Sequence, residues 1–117
     1  MINIETQKEG SITYLIVEGD VDASSSIHLD EALTNLAGDT SVTSILVDGN
    51  KLAYISSAGL GVFMSYIDLF KSKNVQLIIY GLSEKVFNVF QILGLDQLLD
   101  IVGTKEEALK RLHEIQS

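Results

Sequence analysis

Hydrophobic positions change their period along the chain, and the changes separate strands from helices. Residues 11–22 read SITYLIVEGDVD and are rich in β-branched and aromatic side chains. In an extended chain, Ile12, Tyr14 and Ile16 would lie on one face, and Thr13, Leu15 and Val17 on the other. This pattern predicts a strand, which we expect to pair with INIETQ, at residues 2–7, across a turn at Glu9 and Gly10. The chain is therefore predicted to start with a β-hairpin.

The first helix is predicted to follow Ser24, because apolar residues from there onward recur at three- and four-residue spacing until Gly38 stops the pattern. Two later apolar runs, SILVDG at residues 44–49 and VQLIIYG at residues 75–81, are typical of strands that are covered on both faces. We expect the short run DIV, at residues 100–102, to form a last edge strand.

Three further helices are predicted from the same periodicity and from capping residues. Ser83 is expected to cap the third helix, and Gly94 to end it. Thr104, with Glu107 three residues later, is a capping-box pattern for the fourth. The apolar positions of the second helix are Leu60, Phe63, Met64, Ile67 and Phe70.

Strands that alternate with helices favour parallel crossover connections. With the initial hairpin, the order β-β-α-β-α-β-α-(β)-α predicts an α/β fold in which about four helices pack on a mixed β-sheet. The chain has 117 residues and no recognisable linker or repeat. We therefore expect one domain over residues 1–117.

Composition narrows the class of protein. Hydrophobic residues make up 46% of the chain and charged residues 21%, which is typical of a globular domain. The absence of cysteine excludes disulfides and thiolate metal sites. Neither a signal peptide nor an apolar run long enough for a membrane span is recognisable, so we expect a soluble cytoplasmic protein. The net charge of −8, without any basic run, argues against direct binding to nucleic acid.

The stretch YISSAGLGVF, at residues 54–63, places two serines where a strand meets a helix. A nucleophilic serine needs a neighbouring base. The two histidines, His28 and His113, lie in charge-rich helical segments, where we expect them to be solvated. The G-x-S-x-G pattern of many hydrolases is also missing.

Nucleotide-binding and metal sites are no better supported by the sequence than a serine nucleophile. The segment GLG at residues 59–61 lacks the third glycine of a dinucleotide site, and no P-loop lysine follows. Asp20, Asp22 and Asp48 lie near strand ends, where three acids fit loop and capping roles better than a metal site. We therefore expect no enzymatic activity, no metal and no cofactor.

With these kinds of site set aside, the chemical feature of the joint is a serine hydroxyl at the start of a helix. Ser56 or Ser57 is expected to cap the helix, which is worth about 1 kcal/mol. A phosphate group at this position would be tolerated by the free N–H groups and the dipole of the helix. It would also add about −1.5 to −2 charges to the surface, so the site could act as a switch without chemistry of its own.

Three segments carry a resemblance to a known family: VEGDVDASSS, ILVDGNKLAYISSAGLGVF and VQLIIYGLSEKVFNVFQILGLDQLLDI. Together they resemble the STAS domains, and among these the stand-alone bacterial anti-sigma-factor antagonists. The resemblance implies a partner-switching phosphoprotein that binds a serine-kinase anti-sigma factor. Phosphorylation by that kinase would break the complex, and a PP2C-type phosphatase would restore it.

The family's usual joint is Asp-Ser-Ser/Thr-Gly. Matching it on Gly59 places Ser57 at the first hydroxyl, Ser56 at the acid and Ala58 at the second hydroxyl. Ser57 is therefore the predicted phosphorylation site, with Ser56 as the second choice. Asp22 matches the acid of the family's Gly-x-x-Asp element, and we expect it at the same end of the sheet as Ser57, where it could order its loop or recognise the kinase.

We expect the partner to bind the joint, the loop around Asp22 and the outward side of the second helix. The predicted contact residues are Asp20, Asp22, Ser24, Ser56, Ala58, Gly59, Gly61 and Ser65. An equally open interpretation is that the small residues Gly61 and Ser65 only pack against a neighbouring helix. Because the joint departs from the family pattern, a non-phosphorylated STAS scaffold that docks on a transporter ATPase is the alternative function, and a nucleotide sensor is a weaker one.

Overall fold

The computed structural model describes residues 2–116 and shows helices on both faces of a six-stranded mixed sheet. Strands and helices alternate after an initial hairpin, as the periodicity predicts. The elements, in chain order, are β1 (Ile2–Glu9), β2 (Ile12–Val21), α1 (Ser26–Ala37), β3 (Ser44–Asp48), β4 (Leu52–Ile55), α2 (Ser57–Ser72), β5 (Gln76–Tyr80), α3 (Glu84–Ile92), a 3-10 turn (Leu95–Gln97), β6 (Asp100–Val102) and α4 (Lys105–Gln116).

The main path of the sheet is β1-β2-β3-β5-β6, and among the strands of residues 2–116 only the β1–β2 pair is antiparallel. The hairpin turns at Gly10, whose φ of 63° suits a residue without a side chain. The predicted fold class, hairpin and four helices are therefore confirmed.

The separate strand β4 was missing from the predicted order of elements. Strand β2 is long enough to pair with β3 along its first half and with β4 near its end, where a register shift occurs between Gly19 and Asp20. Strand β4 thus lies in line with β3 beside the same neighbour. This arrangement carries the chain to the end of the sheet just before α2 begins.

The two faces of the sheet build two hydrophobic clusters. On one face, alternate residues such as Leu15, Val47 and Ile79 pack against α1, α2 and α3. On the other, Tyr14 and Leu46 pack against α4. Because α1, α2 and α3 each follow a strand of this sheet, their N-termini lie at the end where the parallel strands finish.

A polar contact fixes α2 against α1 within the first layer of helices. The Tyr66 hydroxyl of α2 donates to Asp30 Oδ1 of α1 at 2.8 Å and also contacts the hydroxyl of Thr34. Helix α2 is therefore held on both sides, by the sheet below it and by α1 beside it.

Candidate functional site

The joint between β4 and α2 is capped by Ser56. This residue has an extended backbone, and its Oγ accepts a hydrogen bond from the Gly59 N–H at 3.2 Å. It therefore satisfies one of the N–H groups that a helix start leaves free. Of the two serines that could cap the helix, Ser56 is the one that does.

Ser57 is the first residue of α2, and its side chain is exposed. Within residues 2–116, its hydroxyl takes part in no hydrogen bond. Ala58, the next residue, is exposed as well. The predicted phosphorylation target is thus at the surface, where the active site of another protein can reach it.

The loop that contains Asp22 lies directly beside this joint. Val21 and Ile55 are register partners in the β2–β4 pair, and the Ser56 N–H donates to the Val21 carbonyl at 2.8 Å. The prediction that Asp22 lies at the same end of the sheet as Ser57 is therefore confirmed.

The Asp22 carboxylate orders its own loop. Its Oδ1 accepts hydrogen bonds from the N–H groups of Ser24, at 3.0 Å, and Ser25, at 2.8 Å, and from both serine hydroxyls, each at 2.9 Å. These bonds, led by the one from the Ser25 backbone, lower the pKa of Asp22 from its usual 3.8 to about 2. The exposed carboxylate is therefore ionised at neutral pH and helps to hold the loop before α1 in one conformation.

Asp20 contributes to the same loop through its backbone. Its carbonyl lies 2.9 Å from the Ser25 hydroxyl, whose single proton is shared between this carbonyl and Asp22 Oδ1. Asp20 is half-buried and is the register partner of Tyr54 in β4. The end of β2, the loop and the end of β4 are thus one hydrogen-bonded unit. Asp20 and Asp22 both place negative charge near the joint.

The glycines of α2 have opposite environments. A Cβ atom on Gly59 would lie 2.7 Å from Val21 Cγ1 and 2.8 Å from Ile55 Cγ1, so this buried residue lets the helix start close to the sheet. Gly59 therefore lies beneath the predicted partner surface, and this corrects its assignment as a contact residue.

Gly61, in contrast, faces open space, because among the described residues no atom beyond its chain neighbours and its own helix backbone lies within 4 Å of a Cβ built there. Ser65, one turn later, is exposed and donates from its hydroxyl to the Gly61 carbonyl at 2.9 Å. The interpretation that Gly61 packs against a neighbouring helix is wrong. Both residues lie on the outward side of α2.

Three exposed large apolar side chains, on α1, β4 and α2, were not predicted as site residues. Met64 is 49% exposed on α2, although its spacing suggested a core position. Ile27, in the first turn of α1, is 56% exposed, and Tyr54 of β4 is exposed next to the buried Ile55. Leu60, Phe63 and Phe70 form the buried stripe of α2, and the spacing of Met64 in the sequence does not separate it from that stripe.

The other candidate chemistry has structural explanations. His28 on α1 and His113 on α4 are both exposed, as predicted, and their helices lie on opposite faces of the sheet. Asp48 Oδ1 accepts hydrogen bonds from the backbone and side chain of Asn50, which is a turn-capping role. Over the described part of the chain, no three carboxylates and histidines come together as a metal site would require.

Comparison with known proteins decides the family. The family model described as "STAS domain" matches residues 3–108, which is most of the chain. The chain belongs to the STAS domain family. An anti-sigma-B factor antagonist from Staphylococcus aureus is similar to it, with 30% identity over 107 residues that cover 91% of this chain and 98% of the relative.

Solved structures share the fold of this STAS domain. An anti-sigma factor antagonist from Mycobacterium paratuberculosis superposes with a TM-score of 0.88 at 15% identity, covering 97% of this chain and 95% of the other. The Bacillus cell fate determinant SpoIIAA in its phosphorylated form gives a TM-score of 0.69 at 20% identity, with coverage of 96% and 99%. Within residues 2–116 of the STAS domain, no helix has the length and apolar character that a membrane crossing needs.

The joint of this STAS domain differs from the family pattern at two positions. Ser56 stands where the usual acid would be, and it performs the capping that a carboxylate also can perform. Ala58 stands at the second hydroxyl, so Ser57 and Ser56 are the two hydroxyl groups at the joint. The start of α2 is capped in spite of the departure.

Proposed function

We propose that this STAS domain is an anti-sigma factor antagonist in which Ser57 is the phosphorylation switch. In its unmodified form it binds a serine-kinase anti-sigma factor, and phosphorylation of Ser57 by that kinase releases it. The Staphylococcus aureus relative named as an anti-sigma-B factor antagonist supports the class of partner. The observation that carries the proposal is the exposed Ser57 hydroxyl, without a hydrogen bond in the described chain, on the first residue of α2.

Phosphorylation at this position acts on the surface rather than on the fold. Among the residues that the structure describes, the Ser57 hydroxyl makes no hydrogen bond that the modification would break, and helix starts favour negative charge. The phosphate adds about −1.5 to −2 charges beside the ionised Asp22 loop of a chain that already carries −8. A partner surface that packs on the bare joint then faces repulsion and an anion that it must desolvate.

Ser56 is a less suitable target than Ser57. Its Oγ already accepts the Gly59 N–H, and its own N–H is bonded to Val21, so the residue is held at both ends. Covalent modification of Ser56 Oγ would disturb the cap on which the start of α2 depends. This difference favours Ser57 as the phosphorylated residue.

The proposed partner surface combines a polar rim with apolar contacts. Its polar residues are Asp20, Asp22, Ser24, Ser56 and Ser65, and the small residues Ala58 and Gly61 lie among them. Met64, two turns after Ser57 on α2, Tyr54 of β4 and Ile27 in the first turn of α1 add exposed apolar area, and aromatic and methionine side chains are enriched in protein interfaces. The open space over Gly61 lets the partner approach the backbone of α2 closely.

A PP2C-type phosphatase completes the proposed cycle by removing the phosphate from Ser57, and the cycle takes place in the bacterial cytoplasm, where sigma factors act. Exposure of Ser57 supports this step too, because the phosphatase needs the same access as the kinase. The phosphatase resets the surface to its binding form without any refolding of the domain.

Affinity purification of the tagged domain from its native lysate tests the proposal, followed by incubation of the recovered complex with ATP and mapping of phosphate by mass spectrometry. We expect a serine-kinase anti-sigma factor, phosphate on Ser57, and no labelling of Ser57→Ala. The matched variant Ser56→Ala should still be labelled. Recovery of a transporter ATPase and permease without a kinase would instead favour the scaffold function. The departures from the family's usual joint at Ser56 and Ala58 are the reason to consider that function.

A further inference from the structure

An apolar ridge lies at the end of the domain opposite to Ser57. Ile92 is 81% exposed, Leu93 53% and Leu98 61%, where α3 ends and the 3-10 turn follows. We call these three residues the ridge. Ile92 and Leu98 are the most exposed large hydrophobic side chains of the described chain.

The ridge has a fixed shape. The Gly94 N–H donates to the Gln91 carbonyl at 3.0 Å, and the N–H groups of Leu98 and Leu99 donate to the Leu95 carbonyl at 3.1 and 2.8 Å. Leu95 and Leu99 are buried beneath it and anchor the turn in the core. The exposed side chains are therefore presented on a structured base, which keeps the entropy cost of an association low.

A groove borders the ridge at Leu98. It has a volume of about 400 Å³ and runs between the end of α2 and the start of β5 and β6. Apolar residues of its lining include Ile67 and Leu77, and the charged side chains of Lys71 and Asp100 line it as well. A protruding apolar ridge and a concave groove with both apolar and polar walls thus occur side by side on one surface of the same molecule.

The ridge carries little charge. Between Gln91 and Leu99 the single charged residue is Asp96, which is half-buried and accepts a hydrogen bond from the Gln97 side chain. The whole chain carries −8. Two copies of such a chain repel each other over most of their surfaces, and this segment is a place where they can meet with little repulsion.

We propose that the ridge and groove form a homodimer interface, in which the ridge of each copy packs into the groove of the other. A two-fold interface requires one surface that complements itself, and a ridge beside a groove fulfils this requirement. A basic partner protein would be drawn to the acidic parts of the chain instead, so the lack of charge favours a second copy as the occupant.

The interface is expected to be weak. At roughly 30 Å² for each apolar carbon, the ridge exposes about 250 Å² per copy. The two ridges of a dimer then bury about 500 Å² together, which even with the groove walls stays below the roughly 1,200 Å² in total that specific, stable interfaces bury. We therefore expect dimers that form at roughly 0.1 to 1 mM protein and dissociate on dilution.

Such a dimer leaves both phosphorylation sites open. Helix α2 has sixteen residues and so spans about 24 Å, with Ser57 at its start and the groove residue Phe70 near its end. The dimer would present two joints at once and could bind a partner with two matching sites more tightly than a monomer. Dimer formation itself does not depend on the proposed function of Ser57.

Sedimentation velocity of the full chain between about 10 µM and 1 mM tests the proposal. We expect a concentration-dependent shift to the dimer, loss of the dimer in Ile92→Glu and in Leu98→Glu, and an unchanged dimer in Ile27→Glu. Ile27 is a matched control because it is an exposed isoleucine at the other end of the sheet. Circular dichroism of each variant establishes that its fold is intact.

Salt gives a second readout. Between about 0.01 and 0.1 M salt the screening length falls from about 30 to about 10 Å, so a dimer of two acidic chains should become tighter. A chain that stays monomeric at 1 mM overturns the proposal. So does a dimer that persists in both ridge variants, or one that weakens as salt is added.

Discussion

The Ser56 N–H donates to the Val21 carbonyl at 2.8 Å and thereby ties the start of α2 to the end of β2. Through this bond, the capped joint and the loop ordered by Asp22 become neighbouring parts of one rigid surface. A charge added at Ser57 therefore changes a preformed surface, without any rearrangement of the chain.

The two serines should differ in their effect on stability. Ser56→Ala loses the cap on the Gly59 N–H and should lower the free energy of unfolding by about 1 kcal/mol. Ser57→Ala removes an exposed hydroxyl that makes no hydrogen bond within residues 2–116, so its effect should stay within about 0.5 kcal/mol. Urea unfolding of the two variants measures the difference, and equal losses would contradict the assignment of the cap.

The two glycines of α2 should respond in opposite directions to the same substitution. Gly59→Ala places a methyl group against the short, buried side chains of Val21 and Ile55 and should cost about 1 to 3 kcal/mol. Gly61→Ala meets open space inside a helix and should stabilise the fold by about 0.5 to 1 kcal/mol. Urea denaturation of both variants measures these changes in the free energy of unfolding. A Gly59→Ala variant as stable as the wild type would mean that the start of α2 is less closely packed than described.

How much of this site the sequence could predict depends on whether local pattern or packing decides each residue. Ser83 and Thr104 were predicted as caps and are caps, because their N–H partners lie within three residues in the chain. Gly59 and Gly61 are chemically identical, however, and only the position of the sheet beneath α2 separates the buried one from the open one.

The same limit explains the missed strand and the missed methionine. Strand β4 is short, and its two buried ends, Leu52 and Ile55, enclose two exposed residues, so it shows no alternation. Met64 lies at the edge of the apolar stripe of α2, where periodicity cannot tell whether a neighbouring helix covers it. Both features depend on contacts between segments that are distant in the sequence.

The hydrogen bonds of the Asp22 carboxylate should be lost only at strongly acidic pH. The folded-state pKa of about 2 is below the usual 3.8, so the carboxylate stabilises the fold above the usual value, and this contribution is lost as the pH falls towards 2. A titration of the Asp22 carboxyl group by NMR should give a midpoint near 2. The stability difference between wild type and Asp22→Ala should be constant above about pH 5 and shrink below about pH 4. A midpoint near 4 would mean that the serine hydrogen bonds do not hold the ionised form.

Partner binding should depend on Met64 and not on a similar residue further along α2. Met64→Glu places a charge in the proposed apolar contact and should weaken binding of the anti-sigma factor recovered from lysate by about tenfold or more. Leu69→Glu is the matched control, because Leu69 is also exposed on α2 but lies near the opposite end. Its effect should stay within about twofold. Titration calorimetry measures both, and equal losses would move the interface away from the joint.

The most direct test compares the affinity of the recovered anti-sigma factor for the unmodified domain and for the domain that carries phosphoserine at position 57. We expect phosphorylation to weaken binding by about 100-fold or more, while the amide NMR spectrum changes only around the joint and the Asp22 loop. Equal affinity of the two forms, with phosphate confirmed on Ser57, would contradict the switch.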